Sequence, residues 1–542
     1  MLPGKKVISG SEARRLMKSG IDQLANVVKV TLGPKGKNVN IRQYHGGVVA
    51  TKDGVTVARE FSLEDPAEDM GAQLCKQAAM KTNELAGDGT SSATVLAQAL
   101  VESANRALGT GADANSIKRG IDRAVEVSLE SIDGLKVPIT IDDLDKVTYV
   151  ASVSANDPVA GSEVANAYAQ VGSGGVVSLE TAKSKDTTVR LVEGMKWDYG
   201  FIAPHFVNTE RMTCEFDEPY LFFWEKGINN AQELIEFLTG FLKFAGGKSK
   251  SLVIICESAE GDALATMIAN KMDNGLRIAA VKAPGFGERR KGLMEDMAVF
   301  CGGKFYSEEM GQSLAKFTDF SAGLGSCKKI VIKSGETTIF GGAGKPEDLA
   351  NQIEKLKSLA EQSDSKYDQD KYSERIAKLT QKIAIISVGG SNEVEIKEKK
   401  YRYEDAINAT KAALEFGIVP GGGTACLHAR AAVSKLMEAS DLTPDELIGV
   451  KAVWSALDLP LQTICENGGL PGQVYVAEVM KNISKDAYYG FNAKTNEFGN
   501  MLEMGIIDPV KVTKSALSNA AAIAGTFVMT EVLMFDVPED KE

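Results

Sequence analysis

The chain has 542 residues, 61 basic and 73 acidic, for a formal net charge of −12. That balance argues against the basic footprint of nucleic-acid binding. With 44% hydrophobic and 25% charged residues, the composition is globular, which excludes a disordered or fibrous chain. The length predicts about three or four domains, each large enough to bury a core. Seven cysteines include no CxxC pair and are joined by only three histidines, too few at usable spacing for a zinc cage, so they are expected to be reduced core thiols. The first twenty residues lack the apolar run of a signal peptide. The most apolar stretch, 520–535, is broken by Thr526, Thr530 and Glu531, short of the ~18 residues a membrane span needs. The expectation is a cytoplasmic protein with neither membrane nor nucleic acid as partner.

From Ser11 to about Leu135 apolar residues fall at helical spacing. An amphipathic helix carrying Leu24, Val27 and Val28 runs into the loop TLGPKG from Thr31 to Gly36, and Thr51-Lys52-Asp53-Gly54 follows as a turn displaying a cation and a carboxylate. Next comes Gly87-Asp88-Gly89-Thr90-Ser91-Ser92, entering a helix whose apolar face is Val95, Leu96, Ala99 and Leu100. The glycines permit a sharp backbone path, and exposed N–H groups at a helix start attract an anion. Asp88 would repel a bare phosphate, but a bridging magnesium turns that repulsion into attraction. Taken alone, the segment also fits an ordinary helix cap after a tight turn.

The middle of the chain changes period. Leu252–Cys256, Asp262–Met272 and Leu276–Val281 predict a βαβ unit; Lys329–Phe340 predicts a hairpin turning at Ser334-Gly335; Glu354–Leu379 predicts a charged helical pair; and Ile383–Val388 predicts a buried strand. Gly247-Lys248-Ser249 and Gly341–Lys345 lack P-loop spacing and are expected to be turns. Helical texture returns from about Asp405 to Val532. There Gly421-Gly422-Gly423-Thr424 precedes a helix, Asp405 lies sixteen residues upstream of Gly421, and Asp508-Pro509 follows an apolar Gly505-Ile506-Ile507. The texture fits a helical domain made from both ends with an α/β domain inserted, or else three domains in simple order. Together the loops suggest a nucleotide site assembled from both ends of the chain.

The segments TLGPKGKNV, TKDGVTVAR, AGDGTSSATVLAQAL, VKAPGFGERRK, NEVEIKEKK, PGGGTA and GNMLEMGIIDP resemble the group I chaperonins, the bacterial GroEL and mitochondrial heat-shock sixty family, from about residue 5 to 535, with a short insertion near 244–250. The resemblance implies the chaperonin fold, mainly α with α/β: an equatorial domain (1–136 and 416–542), an intermediate domain (137–193 and 384–415) and an apical domain (194–383), nested in sequence. It implies ATP, Mg2+ and K+ as cofactors. Thr31, Leu32, Gly33 and Pro34 would line the phosphates, Asp88 hold magnesium, Gly89, Thr90, Ser91 and Ser92 cradle the phosphates, and Thr31, Lys52 and Ser91 surround the monovalent cation. Gly422, Asn492, Ala493, Ile506 and Asp508 would enclose the nucleoside, Asp405 orient the attacking water and Asp53 assist it. Lys494 stands where the family has a small residue.

For unfolded polypeptides the resemblance implies an apical groove of Phe201, His205, Phe206, Ile235, Leu238, Leu264, Ile268 and Ala269, with His205 in place of a common aromatic. A co-chaperonin of the GroES type would compete for it. Gln381-Lys382 replaces glycine at the second apical hinge while Gly194 keeps the first, and the carboxyl-terminal Gly-Gly-Met repeats are absent. Pro444, Gln462 and Pro471 stand where ring-to-ring ion pairs are usual, so the expected assembly is a seven-membered ring, single or weakly paired. An ATP-driven folding chamber is the function implied. A holdase with little cycling and an ATP-dependent phosphotransferase are the rivals; the first would fit loss of Asp88, Asp53 or Asp405, all present, and the second lacks a further small-substrate pocket.

Overall fold

The computed structural model describes residues 5–42, 47–172, 175–182, 184–209, 212–247, 250–363, 365–438 and 441–536. Lys248 and Ser249 of the P-loop-like turn, and the end of the chain after Asp536, lie outside them. The chain forms two compact units: Met1–Ala169, Leu179–Thr188 and Ile386–Glu542 make the first, Gln170–Ser178 and Val189–Ile385 the second.

In the first unit helices Gly10–Val28, Pro66–Ala86, Thr90–Gly109, Ala114–Gly134, Pro444–Ala456 and Val510–Met529 surround one apolar core. Its contributors come from both ends of the chain: Ile21, Leu24, Leu96, Leu100, Ile117 and Ile121 meet Val453, Leu517 and Phe527. Of the face expected from Val95, Leu96, Ala99 and Leu100, Val95, Leu96 and Leu100 are buried and Ala99 is half-buried against the core. Helices Gly10–Val28 and Pro66–Ala86 cross at reciprocal glycines, since a Cβ on Gly20 would lie 1.8 Å from the Glu68 carbonyl oxygen and one on Gly71 2.0 Å from that of Met17. Any side chain there would force the backbones apart. The two ends are also tied directly: Lys5–Ser9 pairs antiparallel with Val532–Asp536, placing Ile8 opposite Leu533.

The second unit is built on a mixed sheet. Tyr220–Trp224, Leu252–Cys256 and Ile278–Lys282 run parallel, and helix Gly261–Met272 connects the last two as the expected βαβ unit. The second strand begins at Ile278, two residues later than its apolar run, although Leu276 is already buried. The hairpin is Gly325–Ile332 with Thr337–Gly342, closing from Ile332 to Thr337. Phe222, Phe237, Phe317 and Phe320 fill the space beneath helix Ala231–Ala245, with Phe222 and Phe237 ring centroids 4.5 Å apart. The charged helical pair, Pro346–Gln362 and Lys366–Leu379, is held by a buried acid: Asp296 receives Arg375 Nε at 2.6 Å and Gln352 Nε2 at 2.8 Å.

Gly194 lies inside strand Thr188–Trp197 opposite Phe340, where a Cβ would sit 2.7 Å from the Ile339 carbonyl oxygen. Gln381 and Lys382 are not among the non-glycine residues at positive φ, which are Asn156, Met212, Glu218 and Asn496 among the described residues. All seven cysteines are buried, as expected of core thiols, and burial pushes those of Cys75 and Cys256 up to about 12. No helix among the described residues is long and apolar enough to cross a membrane.

Candidate functional site

The loop after helix Gly10–Val28 turns through a 3-10 segment, Lys29–Thr31, to Gly33 at φ +84°. Asn467, which no sequence signal marks, fixes it by donating from Nδ2 to the carbonyls of Lys29 (2.8 Å) and Leu32 (2.9 Å). Thr31 Oγ1 meets Ser91 Oγ at 3.0 Å, joining this loop to the start of helix Thr90–Gly109. Gly54 packs on the same spot, where a Cβ would meet Ser91 Oγ at 2.4 Å.

Asp53 caps helix Gly54–Glu60: Oδ1 accepts from the Val55 N–H and Oδ2 from the Thr56 N–H, both at 3.0 Å, and Oδ2 also from the Thr56 hydroxyl at 2.6 Å. Helix Thr90–Gly109 has no such cap. Its N-cap is Gly89 at φ +82°, which has no side chain to cap the helix. Helix Thr424–Leu436 likewise starts behind Gly423 at φ +83° without a side-chain cap. Both starts therefore offer donors and a partial positive charge to an anion.

Asp88 stands between the two left-handed glycines, Gly87 and Gly89. Its Oδ1 accepts from the Gly89 N–H at 2.5 Å and its Oδ2 from Ser154 Oγ at 2.6 Å. Asp508 lies in strand Ile507–Pro509 opposite Val419, so close to Gly421 that a Cβ there would sit 2.9 Å from Oδ1. Asn492 ends a short hairpin and accepts from the Lys494 N–H at 2.9 Å, which leaves Lys494 on an exposed turn. Asp405 is carried on helix Glu393–Phe416.

These elements enclose a cavity of about 430 Å³ within the first unit. Thr31, Leu32, Gly33, Pro34, Lys52, Asp53, Asp88, Gly89, Thr90, Ser91, Ser92, Asp405, Gly422, Asn492, Ala493, Ile506 and Asp508 all line it, so every residue expected around ATP is brought together. The wall also contains Ser152, Ser154, Asn156, Glu398, Tyr401, Arg402 and Met504, which the sequence reading missed. Ser154, Asn156 and the Tyr401-Arg402 pair lie in ordinary helical or charged texture, and only the tertiary fold turns them to the cavity.

Desolvation raises the carboxyls of Asp88 and Asp508, the latter to about 7, and each acid has a carboxylate neighbour that adds to the rise: Asp53 for Asp88, and Asp88 for Asp508. Burial lowers Lys52, and the charge of Arg402 lowers it further. Carboxylates gathered beside uncapped helix starts favour a divalent cation accompanied by an anion. Among the described residues no group of three or more His, Cys, Asp or Glu side chains could hold a metal on protein ligands alone. Magnesium needs only one or two carboxylates when phosphate oxygens and water complete its octahedron, so the donor set fits magnesium arriving with a polyphosphate.

The residues expected on an apolar groove are only partly exposed in the second unit. On helices Ala231–Ala245 and Gly261–Met272, Ile235 is 44% exposed, Leu264 and Ile268 are half-buried and Ala269 is exposed. His205 is exposed and Phe201 half-buried. Phe206 and Leu238, expected on the groove, are instead core residues at 0% and 3% exposure. Leu238 falls on the face of Leu234 and Phe241, which packs inward, and Phe206 points into the core from the 3-10 turn Pro204–Phe206. Lys271 ties that turn to its helix by donating to the carbonyls of His205 (2.6 Å) and Val207 (2.7 Å). Pro444 opens helix Pro444–Ala456 behind a Thr443–Glu446 capping box, Gln462 donates to Glu466 at 2.8 Å, and Pro471 is the N-cap residue of helix Gly472–Asn482.

The helical unit with this cavity and the α/β unit have the fold of a chaperonin. A family model of the TCP-1/cpn60 chaperonins matches residues 24–242 and 245–538; the chain belongs to that family, and its role is that of a chaperone. Its break falls in the last turn of helix Ala231–Ala245, beside the insertion expected at 244–250. The chain is also similar to the chaperonin gp146 from bacteriophage EL (Pseudomonas aeruginosa), crystallised in the presence of ATP-BeFx: 98% of this chain matches 99% of that one at 22% identity, with a TM-score of 0.68. At that identity the likeness concerns the fold.

Proposed function

We propose that this chaperonin is of group I and is driven by ATP, with an equatorial, an intermediate and an apical domain at the boundaries expected from the sequence. The carrying observation is the single cavity lined by residues of Thr31–Pro34, Lys52-Asp53, Asp88–Ser92, Asp405, Gly422, Asn492-Ala493, Ile506 and Asp508. In this reading the uncapped start of Thr90–Gly109 binds phosphate oxygens, Asp88 ligates magnesium, and Thr31, Lys52 and Ser91 lie around a potassium ion. Magnesium, when bound, neutralises charge on the transferring phosphoryl group. Asp508 accepts from the ribose hydroxyls and Ile506 forms an apolar wall for the base. Asp405 orients the attacking water, and Asp53, held in place by its capping bonds, assists it.

Non-native polypeptides would bind through Ile235, Leu264, Ile268 and Ala269, with Phe201 and His205 at the rim and Phe206 and Leu238 supporting from beneath. We propose a seven-membered ring, single or weakly paired, that encloses its client in the cytoplasm with a co-chaperonin of the GroES type. The test is magnesium-dependent ATPase measured alongside refolding of an unfolded client. ATP turnover that raises refolding yield supports the folding chamber. Client capture without turnover favours the holdase.

A further inference from the structure

Both oxygens of the Asp88 carboxylate are engaged, and the two donors differ in kind. The Gly89 N–H belongs to the same loop and is present wherever the loop folds. The Ser154 hydroxyl comes from a different element, the penultimate residue of helix Leu144–Ala155, and reaches Oδ2 across 66 positions of sequence. A hydroxyl donating to a carboxylate at 2.6 Å is a charge-assisted bond, among the stronger kinds. It fixes the plane of the carboxylate, while each oxygen keeps a second lone pair for a cation.

The placement of that hydroxyl is not accidental to the fold. Helix Leu144–Ala155 packs through Val147 and Val150 against Ala409 and Ala413 of helix Glu393–Phe416. The latter helix carries Asp405 to the same cavity. One helix pair thus brings two polar groups to the cavity, a donor for Asp88 and the carboxylate of Asp405.

We infer that Ser154 is a positioning residue for a divalent cation at Asp88, holding the carboxylate toward the nucleotide phosphates without touching the cation or the nucleotide itself. The inference rests on the reading of Asp88 as the magnesium ligand. Outer partners that orient a metal ligand change metal affinity by about 10–100-fold when removed, and a serine on a single carboxylate belongs at the low end.

The experiment is calorimetric titration of the full-length chain with a non-hydrolysable ATP analogue, with magnesium and with EDTA. Wild type, Ser154→Ala, Ser154→Thr and Thr148→Ala are compared. Thr148 lies on the same helix, but its hydroxyl bonds to its own turn, at the Leu144 carbonyl, so this variant controls for loss of a hydroxyl from the helix. The expected result is about tenfold weaker binding by Ser154→Ala in magnesium, unchanged binding in EDTA, recovery in Ser154→Thr and no change in Thr148→Ala. Equal weakening with and without magnesium, or equal weakening in Thr148→Ala, would assign Ser154 a merely structural role and overturn the inference. Unchanged magnesium affinity in a folded Ser154→Ala overturns it as well. Wild-type binding that ignores magnesium would instead defeat the reading of Asp88, a distinguishable failure.

Discussion

The cavity of the first unit and the apolar face of the second were expected from the same chain, yet they fared differently. Every expected cavity residue lines one space, whereas two of the eight groove residues, Phe206 and Leu238, are core. The difference is one of materials. The cavity is made of backbone: left-handed glycines at 33, 87, 89, 422 and 423, and helix starts without side-chain caps. Such geometry restricts residue type, so a resemblance in residue type carries the geometry with it. The groove is made of aliphatic side chains at helical spacing, and spacing alone does not say whether a stripe faces solvent or core.

The largest test of this contrast removes the carboxylate presented to the cavity from helix Glu393–Phe416. Asp405→Ala is expected to lower kcat by about 100-fold with nucleotide affinity within a few-fold, because loss of positioning acts on the reaction rather than on binding. Calorimetry beside steady-state ATPase checks this, and parallel loss of both would make Asp405 a structural residue.

The groove is tested by a pair. Leu238→Ser in the core should destabilise the second unit by about 2–5 kcal/mol, whereas Ile235→Ser on the surface should change stability by less than ~0.5 kcal/mol and reduce capture of an unfolded client. Urea unfolding with a client-binding assay separates them. Equal stability losses would mean that the two residues share an environment, against their exposures of 3% and 44%.

Gly89→Ala probes the backbone side. At φ +82°, with its Cβ 2.6 Å from Val512 Cγ1, the substitution should cost about 1–2 kcal/mol in stability. It should also weaken binding of the ATP analogue, both read from thermal shifts with and without ligand. A fully stable, fully binding variant would show that the loop tolerates another path.

The smallest expected effect concerns Lys494. Its amide closes the Asn492 turn while its side chain is exposed, so Lys494→Ala should shift nucleotide affinity by less than about threefold, the scale of an exposed charge contact. A tenfold shift would place that side chain on the nucleoside.

Much of the architecture could be read beforehand because it follows periodicity: the βαβ run at Leu252–Lys282, the hairpin through Ser334-Gly335 and the face of Leu96 and Leu100 all fall where apolar spacing puts them. What escaped reading depends on distant partners. Asn467 is the polar last residue of helix Leu459–Asn467 and becomes the clamp of Leu32 only through a contact 435 positions away. Ser154 looks like any helical serine until Asp88 is beside it. Charged texture also concealed the Asp296–Arg375 pair, since a buried ion pair has the same letters as a solvated one.

The pairing of Lys5–Ser9 with Val532–Asp536 gives the order of synthesis a consequence. The first unit cannot close its core until Val510–Met529 has emerged, while all segments of the second unit are available once Ile385 is made. At about 5–20 residues per second, the helices before Ala169 wait on the order of 20–70 s for their last partner. During that interval the nascent chain carries apolar faces whose core partners have not yet been made.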